Sequence, residues 1–259
     1  MIEDKTIYKK ELFFKLVSVG VLGLNLHAYM DQYDYHKEYL IENPEKYCEY
    51  DIQTKQLQYL IMSIDGLCDL KGSKNYVLKK AYKQFSKAVG ELYEFLHIFK
   101  SDLKNIEIDR KENKDFWLCD LIMVYDDYKV HAEFESTGIK KLIRLFTYLQ
   151  KMVRGEIVFI DEFDSNLHDV YLCAILEYLM EHGKGQLCFT THNVGPMDVL
   201  RRRKKSIDFL SENHKIYPWT ANGNYSPAKL YRNGMIEGSP FNVDSIDFIG
   251  VFDSGEEDE

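Results

Sequence analysis

The chain has 259 residues, of which 45% are hydrophobic, so it is long enough to bury one large core or two small ones. Its formal net charge of −9 argues against a surface that wraps nucleic acid throughout. The five cysteines form no C-x-x-C pair and are odd in number, which excludes an obvious disulfide framework or zinc cluster and predicts a soluble protein of the reducing cytoplasm.

The first hundred residues are predicted to be mostly helical. The apolar stretch at 16–26 is too short to span a bilayer, so we expect a core helix there and no membrane segment. A second helix is expected from Leu57, where apolar residues recur at helical spacing. A third is expected because seven apolar residues alternate three and four positions apart: Leu78, Ala81, Phe85, Ala88, Leu92, Phe95 and Phe99. Such a seam predicts packing against another helix.

The pattern changes near residue 103. Short runs rich in Ile, Val, Tyr and Phe are broken there by polar residues, which predicts a meander of antiparallel strands up to about residue 134. Helical spacing then returns from Ile139 to Val153, and Gly155 is expected to end that helix.

A βαβ unit is predicted after this helix. Ile157–Ile160 is a continuous apolar run typical of a strand buried on both faces, and a helix is expected from about residue 167 to 181. The segment QLCFTTHN then predicts a second buried strand. Strand, helix and strand at this spacing should place the two strands parallel in an α/β sheet.

Polar residues follow both of these strands. Asp161 and Glu162 close the first, and Thr190, Thr191 and His192 close the second. Because parallel neighbours end at the same edge of a sheet, we expect these side chains to lie together. Asp161 would stay ionised beside a divalent cation such as Mg²⁺, Glu162 would orient or deprotonate a water, and His192 would donate to a phosphate oxygen.

A third element lies upstream, where Ser136, Thr137 and Gly138 open the predicted helix. The N–H groups and hydroxyls at the positive end of a helix favour an anion. The same residue types are also ordinary helix caps.

The order of these features resembles the catalytic half of an ABC-type ATPase, in the branch that includes the OLD, RecF and SMC-like ATPases and many bacterial AAA-family ATP-binding proteins. ESTG is similar to the signature motif, IVFIDE to the Walker B strand, FDSNLH to the D-loop and FTTHN to the switch-histidine loop. The resemblance implies an α/β fold, with a parallel-strand core, an antiparallel meander and an N-terminal helical arm or bundle. It divides the chain into an arm at 1–102, a catalytic lobe at 103–250 and an acidic tail at 251–259.

The resemblance also implies that Mg-ATP is bound and hydrolysed between subunits. Asp161 would hold the Mg²⁺, Glu162 would be the catalytic base and His192 would sense the γ-phosphate. Five residues would bind the nucleotide or touch across the dimer: Ser136, Thr137, Gly138, Asp164 and Ser165. Relatives in this branch serve DNA maintenance, DNA repair or phage defence, commonly with an effector nuclease.

The chain departs from this family because it contains no G-x-x-x-x-G-K-[ST] motif. Such a P-loop supplies the backbone nest and the lysine that grip the β- and γ-phosphates, so the chain alone should bind ATP poorly. Three explanations stay open: a C-terminal piece of a longer protein, one half of a split ATPase, or a degenerate relative. The first two require a P-loop from another segment or chain, in a homodimer or higher assembly.

Two other functions and one other partner are open. The carboxylates of DEFDSNLH, His168 and His192 would form a metallohydrolase cluster for phosphodiesters, although this leaves ESTG unexplained. A catalytically inactive structural or interaction fragment is the other alternative. One basic run is either a DNA contact or a solvated surface: Arg201, Arg202, Arg203, Lys204 and Lys205.

Overall fold

The structure is a computed structural model. It describes residues 14–15, 18–23, 25–30, 70–113, 116–211, 214–219 and 226–235. The chain divides into two compact units: Met1–Tyr171 with Tyr178–Thr191, and Leu172–Glu177 with His192–Glu259. The helix predicted from Leu57 and the acidic tail at 251–259 lie outside the described residues.

The described elements include both strands and helices. In chain order up to Thr191 they are β1 (Leu26–Tyr29), β2 (Lys74–Leu78), α1 (Tyr82–Phe99), β3 (Asn105–Asn113), β4 (Phe116–Val124), β5 (Lys129–His131), α2 (Thr137–Arg154), β6 (Ile157–Ile160), α3 (Asp169–His182) and β7 (Gln186–Phe189). Beyond them are α4 (Gly195–Val199), β8 (Asp208–Leu210), β9 (Ile216–Pro218) and α5 (Pro227–Arg232).

The two predicted buried strands, β6 and β7, lie in one parallel sheet. Its order is β1, β6, β7, and Ile157 of β6 is in register with Leu26 on one side and Gln186 on the other. Because α3 connects β6 to β7, the predicted βαβ crossover is confirmed. The strand on the other side of β6 is β1, which comes from the segment predicted to be a helical arm.

The predicted antiparallel meander is also confirmed. β3, β4 and β5 pair antiparallel, and β2 joins the other edge of β4 from the segment before α1. The described residues therefore form a mixed α/β fold with one parallel sheet and separate antiparallel sheets, as the sequence predicts. Within the described residues, β1 and β2 come from the segment before residue 102, so strand pairing crosses the boundary predicted there.

The helix predicted from the seam is α1, but it begins at Tyr82 because Leu78 ends β2. Its buried face consists of Phe85, Val89, Leu92 and Leu96. Ala88, Phe95 and Phe99 of the predicted seam are only partly buried. Two neighbouring faces of one helix, offset by one residue position, can both show a three-and-four spacing. The spacing alone does not distinguish them, so contact with α2 and β3 decides which face is buried.

Local end signals delimit α2 well. Ser136 caps its N-terminus, with Oγ accepting from the Ile139 N–H at 3.4 Å. Gly155 ends it with a φ of 115°, a left-handed conformation that favours glycine.

Two predictions of burial are wrong in the described residues. Residues 18–23 are helical, yet Val19 is 68% exposed, so this helix is not in the core. Phe159 is 42% exposed, whereas Val158 and Ile160 are buried, so β6 is buried on one face only. An apolar run shows which side chains can be buried, but burial itself needs a second layer of structure.

The second unit has its own small core. Ile207, Phe209 and Trp219 form a buried cluster around the β8–β9 hairpin, and Met197 and Leu200 pack against it. The Ser226 hydroxyl donates to Asp198 at 2.6 Å, which ties the start of α5 to α4. None of the helices in the described part of the chain is both long and apolar enough to cross a membrane.

Candidate functional site

Side chains at the ends of β6 and β7 are joined by hydrogen bonds. The Thr190 hydroxyl donates to Asp161 Oδ1 at 2.6 Å and accepts the Glu162 N–H at 2.8 Å. The backbone N–H of Asp161 donates to the Tyr29 carbonyl at 2.9 Å, which aligns this position with the end of β1. The structure therefore brings Asp161, Glu162 and Thr190 together at the carboxyl edge of the parallel sheet.

Glu162 has an unusual backbone conformation. Its φ is 48°, in the left-handed region, which costs a non-glycine residue about 1–2 kcal/mol. The next residue, Phe163, is fully buried, contacts Phe189 edge-to-face and donates its N–H to the Thr190 carbonyl at 3.0 Å. The buried Phe163 directly after this exposed carboxylate, and the buried Ile160 two residues before it, hold the conformation in place.

The residues that follow form a compact loop, which we call the 161–167 loop. The Ser165 N–H donates to the Glu162 carbonyl, and the Leu167 N–H donates to the Asp164 carbonyl, each at 3.0 Å. Asn166 has a φ of 59° and completes the second turn. Asp164 and Ser165 are half-buried, while Asp161 and Glu162 are exposed.

The start of α2 lies directly against the 161–167 loop. A Cβ atom on Gly138 would come within 2.7 Å of the Asn166 carbonyl oxygen, so only glycine fits there without movement. Ser136 and Thr137 are exposed on the same helical turn. The three stretches that resemble the signature motif, the Walker B strand and the D-loop are therefore neighbours in the first unit.

Lys141 is a buried residue of this site that the sequence analysis did not single out. Its side chain is 0% exposed, and its ammonium donates to the Glu162 carbonyl at 2.5 Å and to the Ser165 hydroxyl. Lysine is almost never fully buried, so the residue type gives no reason to expect Lys141 in the core. The available signal is that Lys141 lies four residues before the buried Leu145, on the apolar stripe of α2.

A second buried network holds the residue before Ser136. The Glu135 side chain is only 6% exposed, accepts a hydrogen bond from the Tyr125 hydroxyl and lies 3.7 Å from the Lys100 ammonium. Burial, and then the hydrogen bond to Glu135, raise the pKa of Tyr125 far above its usual range. Tyr125 therefore stays a neutral donor to Glu135 at physiological pH.

Two further predicted contacts concern His192 and Ser165. His192 is exposed and is the first residue of the last segment of the second unit, whereas Asp161 and Glu162 belong to the first. Its role as a phosphate sensor stays a prediction. The Ser165 hydroxyl is bound to Lys141 within the chain, and the predicted contact of this loop across a dimer also stays a prediction.

The donor set at the strand ends fits Mg²⁺ better than a transition metal. Mg²⁺ takes oxygen ligands, keeps several waters and commonly uses one or two carboxylates together with phosphate oxygens. Asp161 supplies one such carboxylate, oriented by Thr190. In the described residues, no group of three or more His, Cys, Asp or Glu side chains is placed so that it could hold a metal ion.

Comparison with known families agrees with this chemistry. Residues 85–198 match the family model described as "AAA domain, putative AbiEii toxin, Type IV TA system". The match covers less than half of the chain, and it contains α2, β6, the 161–167 loop and β7. No curated protein matches the chain. The matched segment is therefore similar to AAA-family ATPase domains, a class whose members bind nucleotide and usually Mg²⁺.

Proposed function

We propose that this chain contributes the signature, Walker B, D-loop and switch-histidine elements of an ABC-type ATPase of the OLD, RecF and SMC-like branch. ATP is hydrolysed when another segment or chain supplies the P-loop that the 259 residues lack. The observation that carries the proposal is the joined arrangement of Asp161, Thr190 and Glu162 beside the exposed start of α2.

Each residue at the strand ends has a distinct task in this proposal. Bound Mg²⁺ supplies positive charge that offsets the charge of the phosphates. Asp161 holds that ion, and Thr190 fixes the orientation of the Asp161 carboxylate. Glu162 orients or deprotonates the attacking water, and its exposed side chain is accessible to a nucleotide from outside the chain.

The start of α2 acts on a nucleotide held mainly by a second subunit. The Ser136 and Thr137 hydroxyls and the N–H groups at the start of α2 contact its γ-phosphate. Gly138 permits the close approach of the 161–167 loop. Asp164 and Ser165 present that loop to the second subunit of a homodimer or higher assembly. His192, two residues after Thr190, senses the γ-phosphate.

The proposal is tested by complementation. The purified chain is expected to show no measurable ATP turnover, because it has no P-loop. Co-expression with a chain that carries a G-x-x-x-x-G-K-[ST] segment, sought among the neighbouring reading frames, should give a complex that releases phosphate in a Mg²⁺-dependent manner. A matched control is the same complex with the P-loop lysine changed to alanine.

Two outcomes contradict the proposal. Turnover by the isolated chain that disappears in Glu162→Gln would show that the missing P-loop is not required. A stable complex that contains an intact P-loop and binds ATP without hydrolysing it would favour the alternative, an inactive structural or interaction subunit.

The proposed context is DNA maintenance, DNA repair or phage defence in the cytoplasm, with an effector nuclease as a partner. The basic run of Arg201, Arg202, Arg203, Lys204 and Lys205 is the proposed DNA contact. It lies on consecutive 3₁₀ turns, and its arginines are exposed. Of the apolar residues beside the run, Ile207 is buried in the core of its own unit and Leu200 packs against that core. The run therefore offers charge without an apolar surface, which suits a phosphate backbone.

Changing Arg201, Arg202 and Arg203 together to glutamine is expected to weaken binding of a labelled DNA duplex. Each lost phosphate contact makes the plot of log affinity against log salt less steep by about 0.9. The magnitude of the slope should therefore decrease by about 3. Fluorescence anisotropy at several salt concentrations measures both quantities. In the control, three exposed lysines of the first unit are changed to glutamine instead: Lys80, Lys83 and Lys111. Equal losses in both triple variants would exclude a DNA contact at the basic run.

A further inference from the structure

Lys141 joins two parts of the candidate site through hydrogen bonds of its ammonium group. Its ammonium contacts the Glu162 carbonyl, at the left-handed residue of the 161–167 loop, and the Ser165 hydroxyl, at the far side of the same turn. Its stem lies on α2, one turn after Gly138. It also approaches the ring of Tyr29, at 5.8 Å from the ring centroid.

Burial of an ammonium group removes its hydration, which costs free energy that its contacts must offset. A methionine of similar length would fill the same volume without this desolvation. Unlike methionine, lysine makes directional hydrogen bonds, because its N–H groups donate to two specific oxygens of the loop.

The bond to the Glu162 carbonyl acts on the backbone of Glu162 itself. The Glu162 carbonyl belongs to the peptide plane that follows its Cα, so a bond to this oxygen restrains the ψ of the residue that carries the carboxylate. The Gly138 backbone lies close to the Asn166 carbonyl at the other end of the loop. The helix start and the loop are thus connected at two points.

We propose that Lys141 is a positioning residue that holds the start of α2 and the 161–167 loop as one body and thereby keeps Glu162 in its reactive orientation. The role of Glu162 in this statement rests on the proposed ATPase function. The mechanical part, the restraint of the loop, depends only on the contacts of Lys141.

Hydrogen exchange of the isolated chain tests the mechanical part. In Lys141→Met, the Ser165 and Leu167 amides, which donate within the loop, should exchange at least about tenfold faster, as expected for local opening. Amides of Leu92 and Leu96 in α1 should be unchanged. The matched control is Lys140→Met, because the Lys140 ammonium contacts the Glu133 carbonyl outside the loop. Ser165→Ala, which removes one acceptor and keeps Lys141, should give a smaller increase and serves if Lys141→Met does not fold.

Turnover of the complemented ATPase tests the functional part. Lys141→Met should lower kcat about tenfold or more with KM little changed, whereas Lys140→Met should change neither. Unchanged exchange in both Lys141→Met and Ser165→Ala would overturn the proposal. Faster exchange with normal kcat would show that Lys141 restrains the loop but does not position Glu162. If no complex of the wild-type chain turns over ATP, the proposed function fails while the exchange result still decides whether Lys141 holds the loop.

Discussion

Gly138→Ala is expected to lower the free energy of unfolding by about 1–3 kcal/mol, the range for inserting a methyl group into a well-packed site. The added Cβ would lie 2.7 Å from the Asn166 carbonyl oxygen, and both groups belong to backbone that cannot rotate away. Either the first turn of α2 or the 161–167 loop must shift. Urea unfolding followed by circular dichroism measures the loss.

Gly90→Ala is the matched control, since Gly90 is also a helical glycine. A Cβ at Gly90 meets no atom within 4 Å, so this variant should be more stable than the wild type by about 0.5–1 kcal/mol through helix propensity alone. The two identical chemical changes should thus have opposite signs. If Gly138→Ala also stabilises the chain, the helix start does not pack against the loop and the neighbour relation of the two motifs is lost.

Glu162→Gln is expected to reduce turnover of the complemented ATPase by about 10²–10⁴-fold, the usual contribution of a general base. Glutamine keeps the size of the side chain and the N–H bond to Thr190, so the backbone of the loop should be retained. Only the charge is removed. ATP should therefore still bind, and a filter-binding measurement with labelled nucleotide should recover ATP rather than ADP from the complex.

Glu181→Gln provides the control for this experiment. Glu181 is an exposed carboxylate near the end of α3, and loss of its charge should leave turnover unchanged. Normal phosphate release by Glu162→Gln would exclude Glu162 as the base. Loss of ATP binding instead of loss of hydrolysis would assign the carboxylate to the metal shell, together with Asp161.

The sequence by itself determined the elements whose signals are local. β6 has the bounds that its apolar run predicts, and α2 ends where Gly155 adopts a left-handed φ. The parallel arrangement of β6 and β7 also followed from the sequence, because a strand, a helix and a strand of these lengths connect in only one common way. That connection is enough to predict that polar residues after both strands meet.

Only the tertiary structure decided which other segment pairs with these two strands. β1 is four residues long, and its pairing with β6 depends on a segment more than a hundred residues away. Val19 and Phe159 show the same limit, since apolar side chains are buried only where another layer covers them.

The candidate site combines both kinds of information. Asp161 and Glu162 were identified from their place after a strand, but the Thr190 bridge, the close contact of Gly138 and the burial of Lys141 were not. Periodicity and end signals are properties of neighbouring residues, so they can be recognised in the sequence. The partner of a hydroxyl or an ammonium group is set by what the fold places opposite it, and that is decided only when distant segments come together.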